Sequence, residues 1–422
     1  MITSSPFRLS AGIGRLVTRW FLLVFMSVAS DGVRAAETYF VSDEQAGVIW
    51  RLKDANGDGD ALDIGERSLW ADGLTTVAEL DQFHGSVFAV EEGLPDGLNQ
   101  VIRFTDLNAD GDALDAGERS VWADGLDDPR GIALDDQGKG YVVDFEDGLV
   151  WALTDMNSDG DALDVGERTI YAEGAVGIAS VAIQGNDLLL TNAFEDLVFR
   201  LTDGNSDGDA LDEGENIAVT PLIDNATGVL DDGAGGFFVS SFANDTVYHA
   251  VDKNGDGDML DVAEALSYAD SVFGGIDGPW GMESHELGGF LLADYSDGQV
   301  LWARDANGDG DALDQGDVHL FADGIGSPVD IVALTECSPD ADGDGDVDGL
   351  DFLIIQRTSP EDIPCWEAAY GTNALAQPVI ERVPEPTALL MAVVTVYFFL
   401  TLRHRIMCFD SRLSTTVVGQ RI

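Results

Sequence analysis

The stretch Asp54 to Glu66, DANGDGDALDIGE, sets oxygen-bearing side chains at alternate places. Asp54, Asn56 and Asp58 stand first, third and fifth, Gly59 sixth and Asp60 seventh. Alternate carboxylate and amide oxygens can converge on one hard cation, a glycine at the sixth place permits the sharp turn, and the seventh residue can add its backbone carbonyl. Calcium is the ion such a set suits. The twelfth place, where a bidentate acid would close the sphere, holds Gly65, so that ligand comes from Asp63, from Glu66 or from elsewhere. The same places recur as Asp106, Asn108, Asp110, Asp112, Asp115 and Glu118, and as Asp155, Asn157, Asp159, Asp161, Asp164 and Glu167. They return as Asp203, Asn205, Asp207, Asp209, Asp212 and Glu215, then as Asp252, Asn254, Asp256, Asp258, Asp261 and Glu264. The sixth copy, Asp305, Asn307, Asp309, Asp311, Asp314 and Asp317, ends on the shorter acid. Asx turns alone would account for one such loop, whereas six in register argue for bound cations.

The loops begin 52, 49, 48, 49 and 53 residues apart, and a period near fifty is the mark of a repeat architecture. The third unit shows its internal order: GIAL at 131, GYVVDF at 140, LVWALTD at 149, the acidic loop, then RTIYAEG at 168. These runs are rich in Val, Ile, Tyr and Trp, are bounded by turn signals and are too short for helices, so each unit reads as four antiparallel strands. That is the plan of a propeller blade. The first unit opens at TYFVSD, residues 38–43, with no first strand before it, and VDIVAL at 329–334 supplies one from the other end. The expected fold is therefore all-β, a six-bladed β-propeller over residues 36–336, closed by a C-terminal strand, with the six loops on one face near the rim. Trp70, Trp122, Tyr171, Tyr268 and Phe321 are expected to pack between blades.

The stretch 127–153, with Pro-x-Gly-Ile-Ala, an Asp-x-x-Gly turn and Tyr-Val-x-Asp, resembles NHL-type six-bladed repeats. The acidic loop resembles the DxDxDG calcium loops and the first half of an EF-hand loop. Its flanks are strands, so opening of a helix pair is not expected. After the propeller, Asp340, Asp342, Asp344, Asp346, Asp348 and Asp351 complete a full loop, and the apolar FLII that follows can start a helix. Residues 337–372 resemble half of a dockerin type I repeat. A dockerin binds cohesin through two halves, and only one calcium loop is present, so a calcium-stabilised spacer is expected here and cohesin binding is not. Cys337 and Cys365 bracket this segment; they are equally readable as paired or free.

Both ends carry export signals. Arg8, Arg15 and Arg19 precede the apolar run Trp20 to Ala29, and Val33-Arg34-Ala35 offers a cleavage site, which makes 1–35 a signal peptide with Ala29 and Ala36 as alternative ends. Beyond a linker at 373–382, residues 383–405 join Val383-Pro384-Glu385-Pro386, an apolar run to Leu402 and Arg403-His404-Arg405. This resembles the PEP-CTERM sorting signal, a transmembrane helix that an exosortase reads and removes. The tail 406–422 continues past the point where that family usually stops. Signal peptidase and exosortase are thus the expected partners in export, with transient anchoring in the inner membrane before release to the cell surface or extracellular matrix. A polysaccharide or protein ligand is expected there.

Asp and Glu total 78 against 21 Lys and Arg, a net charge of -57, which argues against nucleic acid or an anionic membrane surface as a partner. Catalysis is not expected. Six-bladed propellers include gluconolactonase-type hydrolases and quinoprotein sugar dehydrogenases, and such hydrolases hold a metal in the central channel. The innermost runs here offer Glu79, Asp81, Arg130, Glu283 and His285, without an obvious set of acids and Asn; His84 and His285 read as surface or turn residues. No Gly-x-Ser-x-Gly, His-Glu-x-x-His or phosphate loop occurs in the propeller. The function read from the sequence is a calcium-binding surface or matrix protein, with a channel-site lactonase as the alternative.

Overall fold

The computed structural model describes residues 38–334, apart from 94–97, 109 and 175, together with residues 349–358. The first span folds into six four-stranded antiparallel sheets. Blade three shows the plan, as Pro129–Leu134, Gly140–Asp144, Leu149–Leu153 and Arg168–Glu173 pair in sequence order from the axis outwards. The innermost strands of blades two to six are Val77–Phe83, Pro129–Leu134, Ile178–Gln184, Ala226–Asp231 and Pro279–Ser284. Pro328–Leu334 closes the ring by pairing antiparallel with Thr38–Asp43, placing Val332 opposite Phe40 and Ile331 opposite Val41. The expected six blades and their closure from the C-terminal side are thus observed.

The core lies between sheets, because each blade has an apolar side facing its neighbour. In the first seam Trp70 packs 4.4 Å from Phe40 of its own blade and 5.9 Å from Phe104 of the next, ring centre to ring centre. Trp122, Tyr171, Tyr268 and Phe321 are likewise buried, as the sequence led us to expect. Blade four departs from the pattern. Its outer strand is only Asn216–Ala218, and Val219 takes the aromatic position, fully buried. Pro221 follows two residues later and cannot donate to a ladder, which accounts for the early end. A four-residue helix, Ser271–Gly274, capped by the Asp270 side chain, is inserted between blades five and six; the sequence reading had no place for it.

Gly349–Thr358 is a helix that contains the run FLII and Asp351. The rest of the dockerin-like loop, the Cys337 and Cys365 pair, the signal peptide and the 383–405 segment lie outside the described residues. Among the described residues, no helix is long and apolar enough to cross a membrane.

Candidate metal centres

Each acidic loop joins the third strand of its blade to the fourth, so all six sit on one face. Loop one is organised around Asp54, whose Oδ1 accepts the backbone N–H of Gly57 at 2.6 Å and of Asp58 at 3.2 Å, and whose Oδ2 accepts that of Gly59 at 2.8 Å. These bonds wrap the chain round the first carboxylate and turn the third and fifth side chains inward. The Asn56 amide then donates to Asp58 at 3.0 Å and to Asp63 at 2.8 Å. The equivalent amide contacts recur in the other loops, from Asn108 to Asp115, Asn157 to Asp164, Asn205 to Asp212, Asn254 to Asp261 and Asn307 to Asp314. Asp60 accepts the N–H of Leu62 at 3.0 Å, a local turn. The donor set fits a hard cation, since three carboxylates and an amide gather with only amide N–H groups between them. In blades five and six the equivalent backbone N–H groups favour the ionised acid. Those of Gly257 and Gly255 hold Asp252 below the usual carboxylate range, and Gly310 does the same for Asp305.

The twelfth place explains itself in the structure. Gly65 has φ +99°, and Gly117, Gly166, Gly214 and Gly316 repeat it, a left-handed turn that a side chain resists. The acid is displaced to the next residue, where Glu66 is 96% buried. One Glu66 oxygen accepts the N–H of Ala55 and Asn56, the other that of Asp63 at 3.0 Å, so this residue braces the loop from beneath. One of its oxygens also lies within 4.8 Å of oxygens on Asp58 and Asp60. The Asp63 carboxylate instead accepts the Asn56 amide. Both acids the sequence offered are therefore brought to the loop, in different roles. The shorter Asp317 keeps the bond to the Asp314 N–H at 3.1 Å. In blade five the left-handed residue is Ala263, φ +74°. Ala263→Gly should therefore stabilise the chain by about 1 kcal/mol, read as a higher urea midpoint at constant slope; a lower midpoint would mean that the turn carries no strain.

The eighth residue of every loop ties it to the neighbouring blade. The N–H of Ala113 donates to the carbonyl of Trp70 at 2.8 Å, and Ala162, Ala210, Met259 and Ala312 repeat the bond to Trp122, Tyr171, Val219 and Tyr268. Ala61 bonds Phe321 across the closing seam. All six side chains are buried. Sequence spacing carries no trace of these bonds except the recurrent small residue after the acids.

The channel holds a second group of acids. The third residues of the six innermost strands are Glu79, Gly131, Ser180, Gly228, Gly281 and Asp330, and the fifth include Asp81 and Glu283. Glu79, Asp81, Ser180, Gly281, Glu283 and Asp330 line a cavity of about 170 Å³. Glu79 accepts the N–H of Ile132 at 2.9 Å, Asp330 that of Leu80 at 2.9 Å and Asp81 that of Leu134 at 2.6 Å, so each acid reaches across to the following blade. Gly131 leaves the space that the Glu79 carboxylate fills. Burial raises all four, Asp81 and Glu283 to about 7, and the Asp330 charge raises Glu79 further. Asp330 and Ser180 escaped the sequence reading; the signal was an Asp inside the apolar run VDIVAL. Arg130 is not among these acids but pairs with Glu92 at 3.3 Å. His84 is exposed in a turn, as expected. His285 lies at a turn but is not a surface residue, since its ring is stacked 4.4 Å from Trp302 and 5.7 Å from Tyr39.

These raised acids fix the sign of one pH effect. Between about pH 4, where such acids ionise in the unfolded chain, and about pH 7, where Asp81 and Glu283 do so in the fold, the folded state holds more protons. Stability then falls as pH rises through that window. With calcium removed, the urea midpoint should be higher at pH 5 than at pH 8, and Glu283→Gln should shrink the difference. A midpoint that rises with pH under those conditions would contradict the buried state of the acids.

No family model and no curated protein matches the chain. Among solved structures it is similar to a chain of the nidogen/laminin complex, at 14% identity over 71% of this chain and 100% of that one, with a TM-score of 0.51. It is also similar to an auxiliary nutrient binding protein from Bacteroides thetaiotaomicron, at 11% identity over 63% and 65% of the two chains, TM-score 0.47. A streptogramin B lyase matches at 12% identity over 71% and 88%, TM-score 0.44. Likeness at such identities concerns architecture alone, and with the sheet order above it makes the chain a six-bladed β-propeller.

Proposed function

We propose that this chain is an exported calcium-binding propeller that serves as a binding or structural protein at the cell surface or in the extracellular matrix. The observation that carries the reading is the sixfold loop, with its backbone wrapped round Asp54 and its equivalents, its acids drawn together at the Asn56 amide and its equivalents, and its eighth residue bonded to the neighbouring blade. An ion in each loop holds together carboxylates that otherwise repel, and holds the loop in the shape that makes the inter-blade bond. The ions are then part of the scaffold. Equilibrium dialysis of the chelated chain against calcium tests this directly: about seven ions per chain are expected, six in the propeller and one in the loop at 340–351, and fewer than two would defeat it.

The alternative, a channel hydrolase, is favoured by one observation, the four carboxylates round the axial cavity. Against it, Glu79, Asp81 and Asp330 each tie their strand to the following blade through a backbone N–H. They divide between two levels of the innermost strands, which suits bracing better than a shared metal. Lactone hydrolysis that depends on added metal and is lost in Glu283→Gln would reverse this preference.

Export rests on the two terminal segments, and the expected mature product runs from about Ala36 to near Pro384. Its intact mass after surface extraction should match that span. Recovery of peptide from Phe398 to Arg403 in the mature protein would remove the sorting claim.

A further inference from the structure

The strands place a second group of side chains at the opposite end of the channel from the loops. Trp280 is the second residue of its innermost strand, and Phe242 and Tyr295 each follow the second strand of their blades. The three rings touch, at 5.6 Å for Phe242 and Trp280, 5.5 Å for Trp280 and Tyr295, and 6.0 Å for Phe242 and Tyr295. All three are half-buried. The Tyr295 hydroxyl donates to Glu44 at 2.5 Å, while the Trp280 indole N–H has no hydrogen-bond partner among the described residues. Arg130, likewise second in its innermost strand, lies 4.9 Å over Phe145 and pairs with Glu92 at 3.3 Å and Asp128 at 3.6 Å.

We infer that this mouth is a binding site for a neutral saccharide; the inference rests on the reading of the chain as a surface binding protein and names its ligand class. Ring faces accept the C–H face of a pyranose, and donors and acceptors at their edges suit its hydroxyl rim. Trp280 Nε1 is a donor here, and the carboxylates of Glu44 and Glu92, whose charge is already engaged by Tyr295 and Arg130, keep lone pairs that accept a sugar hydroxyl. A cationic ligand is less well served, because Glu44 already binds a hydroxyl and Glu92 and Asp128 already share a guanidinium. Among the described residues, the Arg130 guanidinium at the mouth is already paired with two carboxylates, which leaves an anion poorly served on a chain of net charge -57.

The test is titration of the calcium-loaded full chain with cellopentaose, mannopentaose and maltopentaose, followed by calorimetry and tryptophan fluorescence. Saturable binding of at least one is expected. Trp280→Ala should raise its Kd at least tenfold, and Trp151→Phe, on the outer part of blade three, should leave it unchanged. Tyr295→Phe, which keeps the ring and loses the bond to Glu44, should weaken binding severalfold and decides the matter if Trp280→Ala does not fold. No saturable binding to any of the three, or binding indifferent to both variants, would overturn the inference. Trp280-dependent binding of tetramethylammonium or pentalysine in place of the sugars would overturn it too, and assign the rings to cations. Calcium-dependent melting measured on the same samples separates the two readings: sugar binding can fail while the calcium response stands, and the reverse.

Discussion

Chelation of calcium is expected to lower the melting temperature of the propeller by about 15–30 °C, or to unfold it outright. With dissociation constants near a millimolar, as for extracellular sites of this kind, about 10 mM calcium stabilises each loop by roughly 1.4 kcal/mol through mass action. Six independent loops give on the order of 8 kcal/mol, comparable to the whole stability of an ordinary domain. A domain of this size shifts by roughly 2–4 °C per kcal/mol. The loss would not stay local, since each loop also donates its eighth N–H to the blade before it. A loop opened by repulsion loosens a seam. Magnesium should restore little, because it keeps its water and demands a tighter octahedron. Asp54→Ala should cost about one loop's share, a sixth of the total, because the Gly57 and Asp58 N–H groups it releases are exposed and turn to water, whereas Glu66→Ala should cost more than its ion, because the N–H groups of Ala55, Asn56 and Asp63 lose a buried acceptor. Superimposable melting curves in excess chelator and in 10 mM calcium would reduce the loops to acidic turns.

Much of this was legible because the informative contacts are local or periodic. The fifty-residue spacing, the strand runs and the orphan first strand at VDIVAL led to six blades and their closure, and the alternation Asp54, Asn56, Asp58 led to the loop geometry that Asp54 in fact organises. What escaped depends on partners far along the chain. Asp330 acts on Leu80, 250 residues away, and only ring closure brings them together. His285 read as a surface or turn residue because nothing nearby in sequence reveals that Tyr39 and Trp302 stack on it. Glu66 and Asp63 could not be told apart from spacing, since their roles follow from the left-handed turn at Gly65, a backbone property that the letter G permits without requiring. The top-face rings went unnoticed for the opposite reason. Phe242 belongs to blade five and Trp280 and Tyr295 to one hairpin of blade six, each unremarked among the strand aromatics, and only the common strand ends gather them.

A chain ending at Ser327 is not expected to fold, whereas one spanning residues 36–336 should melt as a single cooperative unit. The difference is the strand Pro328–Leu334, which supplies the innermost position of blade one and all of its pairing to Thr38–Asp43. Val329, Ile331 and Val332 are buried, and losing three such side chains costs about 5–9 kcal/mol at roughly 1.5–3 kcal/mol each. Asp330 adds to the loss, because its N–H donates to Ser42 Oγ at 2.9 Å and its carboxylate accepts the Leu80 N–H, joining blade one to blade two. Without the strand, Tyr39 and Val41 would face the channel unpaired, and the first and last blades would have no common sheet to hold the ring shut. The sum equals most of the stability of an ordinary domain, and the calcium loops cannot replace it, since their one bond across this seam, Ala61 to Phe321, lies at the rim. Circular dichroism melts of the two chains in calcium decide the point. A cooperative transition in the shorter chain within a few degrees of the longer one would mean that the ring does not depend on its closing strand.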